Sequence, residues 1–301
     1  MLKIGVAGAR RGRDHAPALR SHPGASLIAL CDADPAVLAE AGDALGIDAR
    51  FTSYEAMLDA VDAVLVATPM PHHCEATVLA LNAGKHVLAE VTACDTEAEA
   101  RRIDAAVAGS SALYGMAENY LEMPEVALVT EMARRGLFGD PYYAHGSYLH
   151  DCKSLHHRAD GSPTWRAAGQ VGRRGATYPT HSAGPAMRFL IAVHPDERIA
   201  GVTARGTGPR TDPEHPHDDT TVVLLDTTGG RLVEIRIDMM SNRPHRTGFA
   251  LQGTTGAYES DPFGGEGRIC LAENPPPGPH REIAKWWRPI SEFAEHVPAR
   301  H

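Results

Sequence analysis

The chain is short of the residues that mark several common protein classes. Its five cysteines, Cys31, Cys74, Cys94, Cys152 and Cys270, are scattered, odd in number and form no CxxC pair. That argues against a disulfide framework and fits reduced thiols. Basic residues are fewer than acidic ones, 29 against 38, for a formal net charge of -9. A nucleic-acid partner needs a basic face. Arg10, Arg11 and Arg13, and later Arg173 and Arg174, are short clusters rather than a stripe. No apolar run approaches the roughly 18 residues of a membrane span. The opening "MLKIGVAGARRG" enters a strand pattern directly, with no apolar core of a secretion signal. These absences lead us to expect a cytoplasmic protein with neither nucleic acid nor membrane as partner. Repeats and low-complexity tracts are lacking too.

What is present suffices for folded cores: 43% of the 301 residues are hydrophobic, a length that suits one large domain or two ordinary ones. The first 120 residues alternate short apolar runs with helical patterns. "LKIGVAG", "ASLIALCD", "VDAVLVATP", "HVLAEV" and "SALYGMAEN" read as strands. "DHAPALRSH", "DPAVLAEAGDALG", "HHCEATVLALNAGK" and "DTEAEARRIDAAVAG" read as helices. Asp34 is a candidate N-cap, Gly46 a candidate stop, and Thr96 and Glu99 have capping-box spacing. Strands that are apolar throughout indicate a parallel sheet covered on both faces. The expectation is an α/β domain of the doubly wound kind over 1–120.

The rest, 121–301, reads as an α+β domain. A helix, "EVALVTEMARRGLFG", is stopped by Gly136 and Gly139. Strand-like runs follow: "PYYAHGSYLHD", "RIAGVTARG", "TTVVLLDTT", "GRLVEIRIDMM", "TGFALQGTTGAYES" and "RICLAE". Turn signals between them predict a largely antiparallel sheet. A helix, "SAGPAMRFLIAV", is expected just after His181, and "ENPPPGPHRE" as a surface loop.

Gly5, Gly8 and Gly12 lie where the first strand turns into the first helix. A dinucleotide site uses glycines there so that backbone can approach the pyrophosphate. The fit to GxGxxG is imperfect, because Arg10 stands at the second glycine position. Asp32 supports it by ending the second strand, where a carboxylate accepts ribose hydroxyls and repels a 2′-phosphate. NAD is therefore favoured over NADP, with Arg10 and Arg11 as the residues able to reverse the preference. Gly8, Ala9, Arg10, Arg11, Gly12 and Asp32 are the cofactor candidates here. Thr68, Pro69 and His73, after the "VDAVLVATP" strand, are further candidates, since ligands sit at strand C-termini in such sheets. The adjacent His72 and His73, and "HPHDD" from His215, are metal-like only in composition, and no metal is expected.

As a set, "KIGVAGARRG", "ALCDADP", "VLVATPMPHH", "AGKHVLAEV" and "MAENY" resemble the Gfo/Idh/MocA oxidoreductase superfamily over nearly the whole chain. The resemblance implies a Rossmann domain, then an α+β domain whose open sheet mediates homo-oligomers. It also implies NAD(P)-dependent oxidation or reduction of a sugar or cyclitol carbinol, and places Glu90 and Asn119 beside the cofactor. Two departures stand out. The usual "EKP" reads Glu90-Val91-Thr92, and the usual DxxxH reads "TYPTH", with Thr177 in place of the aspartate. The histidine remains as His181. An alcohol losing hydride must also lose a proton, and histidine is the side chain best suited to take it at neutral pH. Tyr178 is its candidate partner.

"YPTHSAGP" is also similar to the NAD-dependent glycosidase branch of that superfamily, which likewise tends to lack the lysine. That similarity carries over Glu90, Tyr120, Tyr178 and His181. There the sugar is transiently oxidised, the glycosidic bond eliminated, water added and the hydride returned. Upstream, "YLHDCKSLHHR" offers His150 and Asp151 for substrate and Lys153 as a replacement for the missing positive charge. Trp165 and Arg166 are candidates to pack on a sugar ring. The expected activity is an NAD-dependent oxidoreductase with a small polyhydroxylated substrate. A redox-neutral glycosidase or lyase and a non-catalytic cofactor-binding regulator remain as alternatives.

Overall fold

The structure, a computed structural model, describes residues 1–272 and 286–296. The segment "ENPPPGPHRE" lies outside the described residues. The chain divides into two units, Met1–Ala117 and Glu118–His301.

The first unit alternates β1 (Leu2–Ala7), α1 (Ala9–Gly12), α2 (Ala16–Ser21), β2 (Ala25–Cys31), α3 (Pro35–Leu45), β3 (Ala49–Phe51), α4 (Tyr54–Leu58), β4 (Ala63–Val66), α5 (His73–Asn82), β5 (His86–Glu90), α6 (Glu97–Gly109) and β6 (Tyr114–Ala117). The six strands are parallel, in the order β3-β2-β1-β4-β5-β6. Strand order reverses between β1 and β4, the position at which such sheets open toward a ligand. Residues of β4 show why the run is apolar throughout. Val64 and Val66 pack with Met57 and Leu81 on one face, while Leu65 packs with Val6, Leu30 and Leu38 on the other. The helix signals act as read. Asp34 accepts the Ala36 N–H at 2.9 Å, Gly46 closes α3 at φ 59°, and Thr96 and Glu99 form a capping box on α6. The predicted first helix, over 14–22, is α2 preceded by a 3₁₀ turn over Arg13–His15, and α1 comes before both without having been predicted. The short β3 and α4 carried no periodic signal; Ser53 caps α4 by accepting the Ala56 N–H.

The second unit contains α7 (Pro124–Arg134), β7 (Pro141–Leu149), α8 (Trp165–Gly169), α9 (Thr180–Ile191), β8 (Ile199–Gly206), β9 (Thr220–Thr227), β10 (Leu232–Asp238), β11 (Arg246–Gly253), β12 (Gly256–Glu259), β13 (Arg268–Leu271) and β14 (Arg288–Pro289). Among the described residues its sheet runs β14-β13-β12-β11-β7-β10-β9-β8. All pairs are antiparallel except β7 with β10. Gly136 and Gly139, at φ 80° and 69°, end the α7 segment. One sheet face carries a core in which Val233, Ile235, Ile237 and Phe249 meet Phe189, Leu190 and Met132. α9 lies close on β7 because Gly146 has no side chain: a Cβ there would run into the Ser182 carbonyl. The helix begins two residues earlier than read, at Thr180, so His181 stands in its first turn.

Candidate active site

In the first unit a cavity of about 480 Å³ opens at the C-terminal ends of β1, β2 and β4, lined by Gly8, Asp32, Thr52, Tyr54, Thr68 and Pro69 among others. Gly8 sits at φ 90°, and a Cβ there would strike the Ala67 carbonyl. Gly12 is needed for a different reason, since its Cβ would strike the Val6 side chain. Asp32 is held in place by two backbone donors: the Ala9 N–H at 2.8 Å on Oδ2 and the Asp34 N–H at 3.0 Å on Oδ1. The Thr68 hydroxyl is buried with no hydrogen-bond partner. A glycine cradle at a strand end, an oriented carboxylate and an orphaned hydroxyl on the cavity wall are the features a dinucleotide would use, and they fit NAD.

Other cofactor candidates behave differently. His73 is buried, with Nδ1 and Nε2 each 2.8 Å from the carbonyls of Thr92 and Thr68. Its ring is thus committed to tying two loops together, which corrects its assignment to cofactor binding; His72 lines the cavity instead. Arg10 is exposed. Arg11 and Glu90 are bound to each other. The Arg11 Nε donates to Glu90 Oε1 at 2.8 Å, and the His15 Nε2 lies 2.5 Å from the same oxygen. Burial alone would raise the Glu90 carboxyl, but the His15 contact and the Arg11 charge outweigh it and hold it below the usual range. His15 carried no sequence signal. The Val91–Thr92 peptide bond is cis, and Val91 is buried.

The second unit gathers His181, Tyr120, Tyr178 and His150, and adds Glu118, Tyr148 and His245. Nδ1 of His181 lies 2.7 Å from Oε1 of Glu118, and both side chains are buried. A carboxylate only accepts, so Nδ1 carries the proton of this contact and Nε2 keeps the lone pair in the neutral ring. The same Glu118 oxygen accepts the Tyr120 N–H at 3.0 Å, while Oε2 is buried without a partner. The Tyr120 ring stacks on His181 at 4.1 Å and 13°. Tyr178 meets His181 edge-on at 4.9 Å, and Tyr148 lies 5.1 Å away. Burial, then the Glu118 charge, raises the Tyr120 hydroxyl to about 12. Burial likewise pushes Tyr148 well above its ordinary value. Both phenols therefore remain donors at neutral pH.

Lys153 does not supply the missing charge. Its ammonium is spent on the Met240 carbonyl (2.7 Å), Asn242 Oδ1 (2.8 Å) and Asp151 Oδ1 (2.9 Å), which corrects the catalytic assignment. Asp151 is the partner in that local pair rather than a free substrate ligand. Arg166 lies over the Trp165 ring at 4.4 Å, so the cation stacks where a sugar was expected to. Its charge still acts on Tyr148. Asn119 is exposed, in the 3₁₀ turn beside Tyr120. "HPHDD" organises loops. Asp218 binds Arg174 and the Gly175 and Gly208 N–H groups, and Asp219 accepts from Arg210 and Thr211. Glu118 was legible only as part of "MAENY", because its partner is 63 residues away.

Comparisons with known proteins follow this division. Residues 2–118 match the Gfo/Idh/MocA family, described as an oxidoreductase family with an NAD-binding Rossmann fold. The class is thus that of NAD-binding Rossmann proteins joined to a second α+β unit. Residues 123–295 match the glycosyl hydrolase 109 C-terminal domain, and the chain belongs to that family. A glycosyl hydrolase family 109 protein of Shewanella pealeana is 26% identical over 95% of this chain and 69% of its own length. An alpha-N-acetylgalactosaminidase of Shewanella oneidensis is 26% identical over 87% of this chain and 63% of its own length. The chain spans 63 to 69% of the length of such curated relatives. A levoglucosan dehydrogenase solved with NADH and levoglucosan shares the fold, with TM-score 0.79 at 21% identity over 99% of this chain and 84% of that one.

Proposed function

We propose that the chain is an NAD-dependent enzyme that acts on a carbinol of a sugar-like substrate, with His181 as the general base. The observation that carries this reading is the Glu118–His181 pair, with Nδ1 fixed and Nε2 left as the proton acceptor. NAD, when bound, supplies a hydride acceptor that can also return what it took. Gly8, Asp32 and Thr68 would hold it, and the Asp32 carboxylate favours NAD over NADP by repelling a 2′-phosphate. Nε2 of His181 takes the hydroxyl proton as the carbon is oxidised. Glu118 stabilises the resulting imidazolium, Tyr120 holds its plane by stacking, and Tyr148 and Tyr178 donate to substrate oxygens.

The family match over 123–295 favours a redox-neutral course, glycosidic cleavage by oxidation, elimination, addition and reduction, over net dehydrogenation. Release of 4-nitrophenol from a panel of 4-nitrophenyl glycosides by NAD-loaded protein tests both. A redox-neutral enzyme releases the aglycone and builds up no NADH; a net dehydrogenase accumulates NADH with free sugars; a regulator binds NAD and does neither. The net charge of -9 supports a protein without a nucleic-acid partner, and the scattered free cysteines support a cytoplasmic location. Val202 and Leu224, exposed on β8 and β9, support self-association through that end of the sheet, which sedimentation measures.

A further inference from the structure

A second group of titratable side chains stands across Tyr148 from His181. Tyr148 and His150 are two residues apart on one strand path and so share a face. β11 runs antiparallel beside β7 with Arg246 opposite Leu149, so the next step brings His245 opposite His150. The two imidazoles lie 4.5 Å apart. Tyr148 contacts both, at 5.7 Å and 5.6 Å, as well as His181. Among the described residues neither ring is hydrogen-bonded to a carboxylate: His150 Nδ1 lies 3.2 Å from the Asp151 carbonyl, with the Asp151 carboxylate near enough to feel its charge, and His245 makes no hydrogen bond. His245 is also exposed. The pair is thus partly open to solvent, and both of its rings touch the Tyr148 ring that also touches His181.

We propose that His150 and His245 form a substrate-positioning pair that hydrogen-bonds a neutral polar substituent of the sugar, a hydroxyl or an amide, beside the carbon on which His181 acts. The inference rests on the sugar-directed reading above and deepens it. Burial, then the charges of His150 and His181, lowers His245 below the ordinary histidine range. The titratable groups facing it are His150 and Tyr148 from the β7 path and His181 from α9, with Arg243 and Arg246 flanking it on its own segment. A neutral imidazole offers one donor and one acceptor, which suits a hydroxyl or amide. Protonation removes the acceptor, so sugar affinity falls on acidification. A pair built for an anionic substituent would show the opposite sign.

The test uses full-length, NAD-loaded protein. Calorimetry measures binding of N-acetylgalactosamine, N-acetylglucosamine, galactose and glucose between pH 7 and pH 5, alongside turnover of 4-nitrophenyl N-acetyl-α-galactosaminide. His245→Phe is expected to weaken sugar binding and raise KM by about tenfold, the worth of one good hydrogen bond. It leaves NAD affinity unchanged and kcat within about threefold. His245→Asn, which keeps hydrogen-bonding capacity but does not titrate, is expected to restore affinity and flatten the pH dependence. Unchanged sugar binding in both His245→Phe and His150→Phe overturns the proposal. So does affinity that rises on acidification, or a wild-type protein that binds none of the four sugars. Weakened binding in His245→Phe without turnover by the wild type upholds the pair and overturns the catalytic reading instead.

Discussion

Nδ1 of His181 is committed to Glu118, so any proton transfer at that ring falls to Nε2. His181→Ala is expected to lower turnover by roughly a hundred- to ten-thousand-fold, the range of a lost general base, with NAD affinity measured by fluorescence nearly unchanged. Equal loss of both would make the residue structural. Val91→Lys is expected to create no strong net dehydrogenase activity, because the position is buried and Thr177 offers no carboxylate; a large gain of NADH production would contradict that reading. Glu90 gives a pH prediction. Its carboxyl is lowered in the folded chain from an ordinary value of 4.5. The stabilisation is therefore complete above that ordinary value and is lost as pH falls through the folded value. Thermal unfolding followed from pH 7 to pH 3 should show a steeper acid loss for the wild type than for Glu90→Gln.

Among the elements, α9 depends on β7 for its place. Gly146→Ala puts a methyl group against the Ser182 carbonyl, and overpacking of that kind costs about 1–3 kcal/mol. The expected outcome is a lower melting temperature and reduced turnover, with NAD binding retained; an unchanged melting temperature would show that α9 can move away freely. The alternation of elements could be read from the sequence because long strands are apolar on both faces and helix caps have local signatures, as at Asp34 and Thr96. The three-residue β3 and the five-residue α4 and α8 are too short for any period to show. The site was only half legible for a related reason. His181, Tyr178 and Tyr120 lie in short motifs, whereas Glu118's role and the His150–His245 approach come from pairing across distant segments. Lys153 looked available because its competitors, Met240 and Asn242, are far away in sequence.

At the scale of the whole molecule, the parallel first unit carries the features that suit NAD, and the mostly antiparallel second unit carries the Glu118–His181 pair. Among the described residues no helix is long and apolar enough to cross a membrane. The two family matches divide along the same boundary, with a nucleotide-binding oxidoreductase family first and a glycosidase family second. A redox-neutral NAD-dependent cleavage unites them, since it needs both a hydride acceptor and a proton acceptor yet consumes no cofactor. The most direct measurement is turnover of 4-nitrophenyl N-acetyl-α-galactosaminide by NAD-loaded protein in deuterium oxide, with near-ultraviolet absorbance and product mass recorded together. The account predicts aglycone release that requires NAD, no accumulating NADH, and one solvent deuterium fixed on carbon in the released sugar. Cleavage without NAD, or without deuterium in the product, would contradict it.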